Sequence, residues 1–376
     1  MAGVDPTTAP PQARRSGIPL GRVLGFPVRL NWSVVLLAAL VTMLLGPYSG
    51  YLVGVGFVVF LVVSVLLHEL GHALTARRLG VGVRGITLEI LGGFTEMDRE
   101  SPSPRVELLV ALAGPAVSLV IGLTAGAAAV LLPDGTALQR VMVLAAFANV
   151  VVAVFNALPG LPLDGGRALR AAVWALTGKR LLATLVAARS GQGLALLTLA
   201  GAVALWSYGV ITTFGLLFTL LVALTLWQGA SGAAQLARVQ QRVPLLDLDR
   251  LARPIFTVPT GTPLAEAQRR AAESGPPGAA LAVVDSAGQV IAVVNRRAAQ
   301  AVPPERRPWV SVDTVARDVN SLRTVPTGLR GQAAVAALQH HPAGEYLLTH
   351  DGRIVGLLHL SDVSRMLRPP ARRARR

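Results

Sequence analysis

Apolar residues fall into long uninterrupted runs up to about residue 230 and into short stretches beyond it. The runs are Trp32 to Leu45, Tyr51 to about Leu79, and then residues 105–132, 137–157, 181–206 and 209–228. A bilayer core about 30 Å thick takes roughly 20 helical residues to cross. The pattern therefore predicts six transmembrane helices, the first so short that its ends must tilt or borrow from their flanks. Between the second and third runs the period changes to two. Ile86, Leu88 and Ile90 alternate with polar neighbours and Gly92-Gly93 offers a turn, which predicts a small β-hairpin.

Beyond residue 230 the sequence repeats itself. Thr257-Val258-Pro259-Thr260-Gly261 returns as Thr324-Val325-Pro326-Thr327-Gly328. Each copy leads into an Ala-rich amphipathic stretch and then a strand-turn-strand pattern, with Ala282 to Gly288 in one copy placed like Tyr346 to Gly352 in the other. Recurrence of this kind marks a duplicated α/β unit. The expected organisation is a disordered tail over 1–17, a membrane domain over 18–230, a linker over 231–248, and a duplicated domain over 249–368. Its repeats fall at about 249–305 and 310–368, and a basic tail over 369–376 closes the chain. The fold class is thus a polytopic α-helical membrane protein carrying a C-terminal α/β pair.

Composition agrees. Of 376 residues 52% are hydrophobic, and a mean hydropathy of +0.55 is too high for an ordinary soluble fold. The net charge of +15 comes almost wholly from arginine, Lys179 being the only lysine. These cations are spread through loops and tails, which argues for membrane topology and anionic-lipid contacts and against nucleic acid as a partner. In the six-helix arrangement the basic residues from Arg14 to Arg29, Arg77 to Arg105 and Arg167 to Arg180 share one side, and the other holds Arg140 and little else. Positive loops stay inside, so both termini are expected in the cytoplasm. The early residues lack the apolar core of a signal peptide. Absence of cysteine excludes a disulfide framework. Preference for Arg over Lys and abundance of Ala fit a GC-rich bacterial genome, hence a bacterial plasma (inner) membrane.

Candidate chemistry sits in the second run. His68 and His72 are four apart, so a helix sets them on one face, one turn above the other, where both can reach one Zn²⁺. Glu69, between them, is placed to handle the proton of a water at such an ion. Ionisable groups at membrane depth cost roughly 2.5–3.5 kcal/mol each on insertion scales, and mark functional sites. The other four histidines, His340, His341, His350 and His359, lie near the C-terminus. Without cysteine the third ligand must be a carboxylate or another histidine. Most acidic residues of the membrane domain lie in a polar connector, but Asp164 ends an apolar run in Asn156-Ala157-Leu158-Pro159-Gly160-Leu161-Pro162-Leu163-Asp164-Gly165-Gly166-Arg167. Two prolines and three glycines interrupt a helix there, which membranes tolerate only against protein or a wet cavity. Asp164 is therefore paired with His68 and His72, leaving one metal position open.

His68-Glu69-Leu70-Gly71-His72 together with Asn156-x-x-Pro159-x-x-Pro162-Leu163-Asp164-Gly165 resembles the paired signature of the site-2 proteases, intramembrane zinc metalloproteases. The resemblance covers about residues 20–230. It implies one Zn²⁺ per chain on His68, His72 and Asp164, Glu69 as general acid/base, and Asn156 near the substrate carbonyl. It also implies a single-span membrane-protein substrate and a hairpin dipping toward the site, whose edge receives an unwound substrate strand. Ala113-Gly114-Pro115-Ala116 resembles the Gly-Pro element of the family's third core helix, with Ser118 where Asn is common. The C-terminal duplication resembles a tandem CBS pair, which implies an adenine-nucleotide site and a homodimer contact. Gly356-Leu357-Leu358-His359-Leu360-Ser361-Asp362 is similar to the ribose-contacting segment, with Asp362 as its acid and Ala298 at the matching place in the first repeat. Two alternatives stand beside the protease: a catalytically silent membrane scaffold and a CBS-gated transporter.

Overall fold

In the computed structural model, residues 17–89 and 92–367 are described, and the chain divides between Ala237 and Arg238 into two compact units. The expected basic tail over 369–376 lies outside the described residues, as do Ile90 and all but the last residue of the expected tail over 1–17.

The N-terminal unit opens with β1 (Ile18–Val23) and β2 (Phe26–Leu30), followed by α1 (Trp32–Ser49) and α2 (Tyr51–Arg78). Next come β3 (Val83–Glu89), β4 (Gly92–Met97), α3 (Pro104–Leu131), α4 (Ala137–Ala157), α5 (Asp164–Thr177), α6 (Arg180–Ser207) and α7 (Thr213–Arg242). All of these helices except α5 are long and apolar enough to cross a membrane, which gives six. Helix starts follow capping chemistry. Asn31, Ser103 and Thr136 each accept a backbone N–H of the first turn of α1, α3 and α4, and Pro104 sits where its missing N–H costs nothing.

The expected hairpin is half of a larger object. β1, β2, β3 and β4 form one four-stranded sheet in that order, with β2 parallel to β3 and the other pairs antiparallel. Gly92 and Gly93 are strand residues opposite Glu89 and Leu88 and are not the expected turn. Phe26, Val28, Ile86 and Leu88 bury one face of the sheet against Val34 of α1 and Leu70 and Ala73 of α2. Burying such side chains contributes about 1.5–3 kcal/mol each, which clamps β3 and β4 over the turn of α2 that carries residues 69–73.

Further departures concern helix ends. α1 runs past the expected Leu45 to Ser49 through Pro47. α7 continues to Arg242, so most of the expected linker over 231–248 is helical. The proline-glycine break does not interrupt a single span: α4 ends at Ala157 and Asp164 begins the separate amphipathic helix α5. Between them Leu161 N–H donates to the Ala187 carbonyl of α6 at 3.0 Å. A Cβ at Gly191 would overlap the Leu161 carbonyl, and one at Gly229 would press on the Pro162 ring. Glycines on α6 and α7 thus let protein close on backbone that lipid could not satisfy.

In the C-terminal unit, α8 (Leu248–Leu251), β5 (Arg253–Pro259), α9 (Leu264–Ser274), β6 (Ala280–Val284), β7 (Val290–Val294) and α10 (Arg296–Ala301) precede β8 (Ala316–Asp318). The second copy is β9 (Arg323–Pro326), α11 (Gly331–His340), β10 (Glu345–His350), β11 (Arg353–His359) and α12 (Leu360–Leu367). The seven strands order as β8-β7-β6-β5-β11-β10-β9, the copies joining where β5 pairs antiparallel with β11. The repeated Thr-Val-Pro-Thr-Gly has a structural cause. Gly261 and Gly328 take φ of +78° and +83°, which suits glycine, and each receives a carboxylate from outside its own turn. Asp313 accepts from Gly261 N–H at 2.7 Å and Asp249 accepts from Gly328 N–H at 3.0 Å.

The Ser311 hydroxyl above all, with Gly261 N–H and the Thr260 hydroxyl, holds the Asp313 carboxyl below the usual range against the opposing effect of burial. A depressed carboxyl adds stability above its unfolded pKa of about 3.9 and loses it as pH falls through the folded value. Asp313→Asn is expected to destabilise this unit by about 1 kcal/mol at pH 7. The difference from wild type should shrink below about pH 4, followed by denaturant titration of the full chain. A pH-independent difference would contradict the assignment.

Candidate metal centre

α2 is helical through residues 68–72, so its four-residue spacing sets the two imidazoles edge to face with ring centroids 4.9 Å apart. The helix break brings the third group. His68 Nε2 and His72 Nε2 each lie 3.1 Å from Asp164 Oδ2 and 3.2 Å from one another. All three residues are buried, and they are the metal-competent cluster among the described residues.

The outer ring nitrogens decide what the inner ones present. His72 Nδ1 lies 2.7 Å from the Val110 carbonyl, which can only accept, so that nitrogen carries the proton and Nε2 keeps its lone pair. His68 Nδ1 lies 2.8 Å from the Ser118 hydroxyl, which fixes the ring on the same helix. With His68 protonated on Nδ1 as well, donating to the Ser118 hydroxyl, three lone-pair atoms converge, an arrangement that repels itself unless a cation sits among them. Tetrahedral zinc with bonds of about 2.0–2.1 Å spaces its ligands about 3.3 Å apart. The triangle of 3.1–3.2 Å is one face of such a tetrahedron, and the donor set fits zinc.

Neighbours hold these groups in place. Gly114 of α3 faces both Nε2 atoms, and a methyl there would overlap them. Asp164 opens α5, where the helix dipole favours an anion. Its second oxygen, Oδ1, faces Arg167 at 3.9 Å. α5 is fastened to the start of α3 by the Arg170–Glu107 ion pair, with Glu107 almost fully buried. Arg180, stacked 4.0 Å over Trp174, reaches Glu100 at 2.7 Å.

Glu69 stands beside this cluster and not in it. Its carboxylate Oε2 accepts from the Thr95 hydroxyl of β4 at 2.6 Å. Asn156, on the last turn of α4, is half-buried and donates to the Val152 carbonyl of its own helix at 3.1 Å. Asp362 belongs to the other unit and is ion-paired to Arg253 at 3.0 Å and to Arg365 at 3.2 Å. Near it a cavity of about 230 Å³ is lined by Asp249, Ala252, Arg253, Pro254, Thr327, Leu348, Val355 and Gly356. His359 contacts Glu345 at 3.3 Å; burial first, then the Arg253 charge, hold its pKa down. Sequence reasoning noted Gly114 and Ser118 as a family element without their contacts to the histidines, and missed Val110, Thr95 and Arg167. Only the four-residue spacing of Gly114 and Ser118 and the Asp164-x-x-Arg167 spacing offered a signal.

The model of peptidase family M50 matches residues 56–137 and 134–200, and that of the CBS domain matches residues 247–299. A protein named as a zinc metalloprotease, Rip3, from Mycobacterium tuberculosis is 33% identical over 376 residues, covering 94% of this chain and 93% of the relative. The chain belongs to peptidase family M50, the site-2 proteases. A relative from Synechocystis sp., also named as a zinc metalloprotease, is 30% identical and covers 96% of this chain and 98% of its own length. The solved site-2 protease from Methanocaldococcus jannaschii is 31% identical over 58% of this chain and 95% of that one, with a TM-score of 0.44. This M50 member is a zinc metalloendopeptidase with a C-terminal CBS domain, not the scaffold or the gated transporter.

Ser118→Ala is expected to weaken zinc binding about tenfold. Gly114→Ala should displace the rings and lose most of the metal. Zinc content of both purified variants checks this, and full occupancy in Gly114→Ala would contradict the packing described.

Proposed function

We propose that His68, His72 and Asp164 hold one Zn²⁺ per chain and that Glu69 is the general acid/base of peptide-bond hydrolysis at membrane depth. The observation that carries this reading is the convergence of three lone-pair atoms at 3.1–3.2 Å in a buried place beside a carboxylate. Bound there, Zn²⁺ supplies Lewis acidity, which polarises a carbonyl and brings the pKa of water down to about 7. Glu69 takes the proton of the attacking water and delivers it to the leaving amine. Asn156, at the lip of the break between α4 and α5, turns its amide to the scissile carbonyl once that carbonyl arrives. Arg167 and the α5 N-terminus keep Asp164 oriented.

The substrate is a single-span membrane protein. Its helix pairs its own peptide groups, so cleavage requires local unwinding. β3 is internal to the sheet and β4 forms an edge, so the strand that receives unwound substrate is β4. The distribution of arginines supports a bacterial plasma membrane with both termini cytoplasmic, and contacts between those arginines and anionic lipid. The CBS pair binds adenine nucleotide with Asp362 at the ribose, a role in which ribose hydroxyls compete with Arg253 for the carboxylate, and it also joins two copies of the chain as a homodimer.

Glu69→Gln is expected to retain zinc and lose turnover, whereas His68→Ala, His72→Ala and Asp164→Ala lose both; cleavage of a reporter membrane helix and zinc content together check this. Measurable cleavage by purified Glu69→Gln would sink the assignment. Equilibrium titration with ATP or AMP should show saturable binding to the full chain that Asp362→Ala abolishes. No saturable binding by the wild-type chain would remove the nucleotide reading.

A further inference from the structure

β4 does more than line the site, because alternate residues along it reach the same side chain of α2. Strand residues two apart face one side. Gly93 and Thr95 are two apart on β4, and both meet Glu69. The Thr95 hydroxyl donates to Oε2 at 2.6 Å, and its Oγ1 lies 3.3 Å from the Glu69 backbone carbonyl. Gly93 lies against the rest of the side chain, and a Cβ there would overlap Glu69 Cγ and come within 2.7 Å of Oε1. Their opposite partners on β3 are Leu88 and Ile86, both packed on the α2 cluster that contains Leu70 and Ala73. Phe94, between them, points the other way and is largely exposed.

A carboxylate on a long side chain has several rotamers, and fixing it at one of them costs conformational entropy unless a partner supplies a bond. Within reach of Glu69 that partner is Thr95. We infer that Thr95 is a positioning residue for the general base: it orients Glu69 by a hydrogen bond to Oε2, while Gly93 keeps the space that orientation needs. This rests on the reading of Glu69 as acid/base given above. Because β4 is an edge of its sheet, the strand that offers backbone groups to an incoming peptide is also the strand that sets the base. Docking at the edge of β4 and alignment of the carboxylate on its face are joined through the three residues Gly93 to Thr95.

The test compares wild type, Thr95→Val, Thr95→Ser and Glu69→Gln as zinc-loaded full-length enzymes, with kcat, KM and zinc content measured for each. Binding of a labelled substrate helix is also compared in Glu69→Gln and in Glu69→Gln/Thr95→Val. Valine keeps the shape and removes the hydroxyl. Thr95→Val is expected to lower kcat about 10- to 100-fold, the loss of one hydrogen bond to an ionised group. KM and zinc content stay within about twofold, Thr95→Ser restores most of the rate, and the two Glu69→Gln proteins bind the labelled helix equally. Thr95→Val with wild-type kcat overturns the inference while a silent Glu69→Gln leaves the base assignment standing. Turnover by Glu69→Gln overturns both. A Thr95→Ser variant as slow as Thr95→Val, or a loss confined to KM, assigns Thr95 to packing or docking and also overturns it.

Discussion

Everything in the N-terminal unit turns on keeping three electron-pair donors within 3.2 Å of one another inside apolar helices. Such a cluster is repulsive by itself and expensive at membrane depth. It is sustained by partners on the far side of each group. A backbone carbonyl of α3 takes the outer proton of His72, the Ser118 hydroxyl meets His68, and Arg167 faces the second oxygen of Asp164. These contacts settle which atoms point inward, and the inward atoms then define where a cation fits. α3 serves both histidines and also yields the space, through Gly114, in which their nitrogens sit.

The same constraint explains the irregular backbone between α4 and α5. A continuous helix through residues 158–163 would give Asp164 neither a helix N-terminus nor freedom to leave the line of α4. The prolines end α4, and the polar groups this exposes are met by α6, which comes close because residue 191 is glycine. α5 can then be anchored independently, through Glu107 and Arg170, at the mouth of α3. Sheet and site are linked in a comparable way. The apolar face that docks β3 on α2 places β4 where its side chains touch Glu69.

Much of this was legible in the sequence, for physical reasons that differ from part to part. Six spans could be read because bilayer thickness imposes length on an apolar run. The His68, His72 and Asp164 convergence could be inferred because few ionisable residues occur in the apolar segments. The CBS duplication was visible because each turn needs its own glycine with positive φ. Three features escaped for want of a local signal. The β1–β2 hairpin is mostly exposed on β1 and carries no clean alternation. Helix α5 hides behind its glycines, which lower helix propensity yet are required where Gly165 and Gly166 meet the backbone of residues 157–161. Thr95 looks like any strand threonine until the fold sets it against Glu69. The turn was placed on Gly92-Gly93 because glycine pairs usually mark reversals, whereas Gly93 answers to a tertiary demand, room for a carboxylate.

The central claim is that one ion joins α2 to α5 through two imidazole nitrogens and one carboxylate oxygen. X-ray absorption at the zinc edge on the purified, membrane-extracted enzyme tests it directly. The account predicts a first shell of two histidine nitrogens with oxygen ligands at about 2.0–2.2 Å, a signal that His72→Ala loses together with the bound zinc. A spectrum lacking imidazole scattering, or one unchanged by His72→Ala, would contradict it.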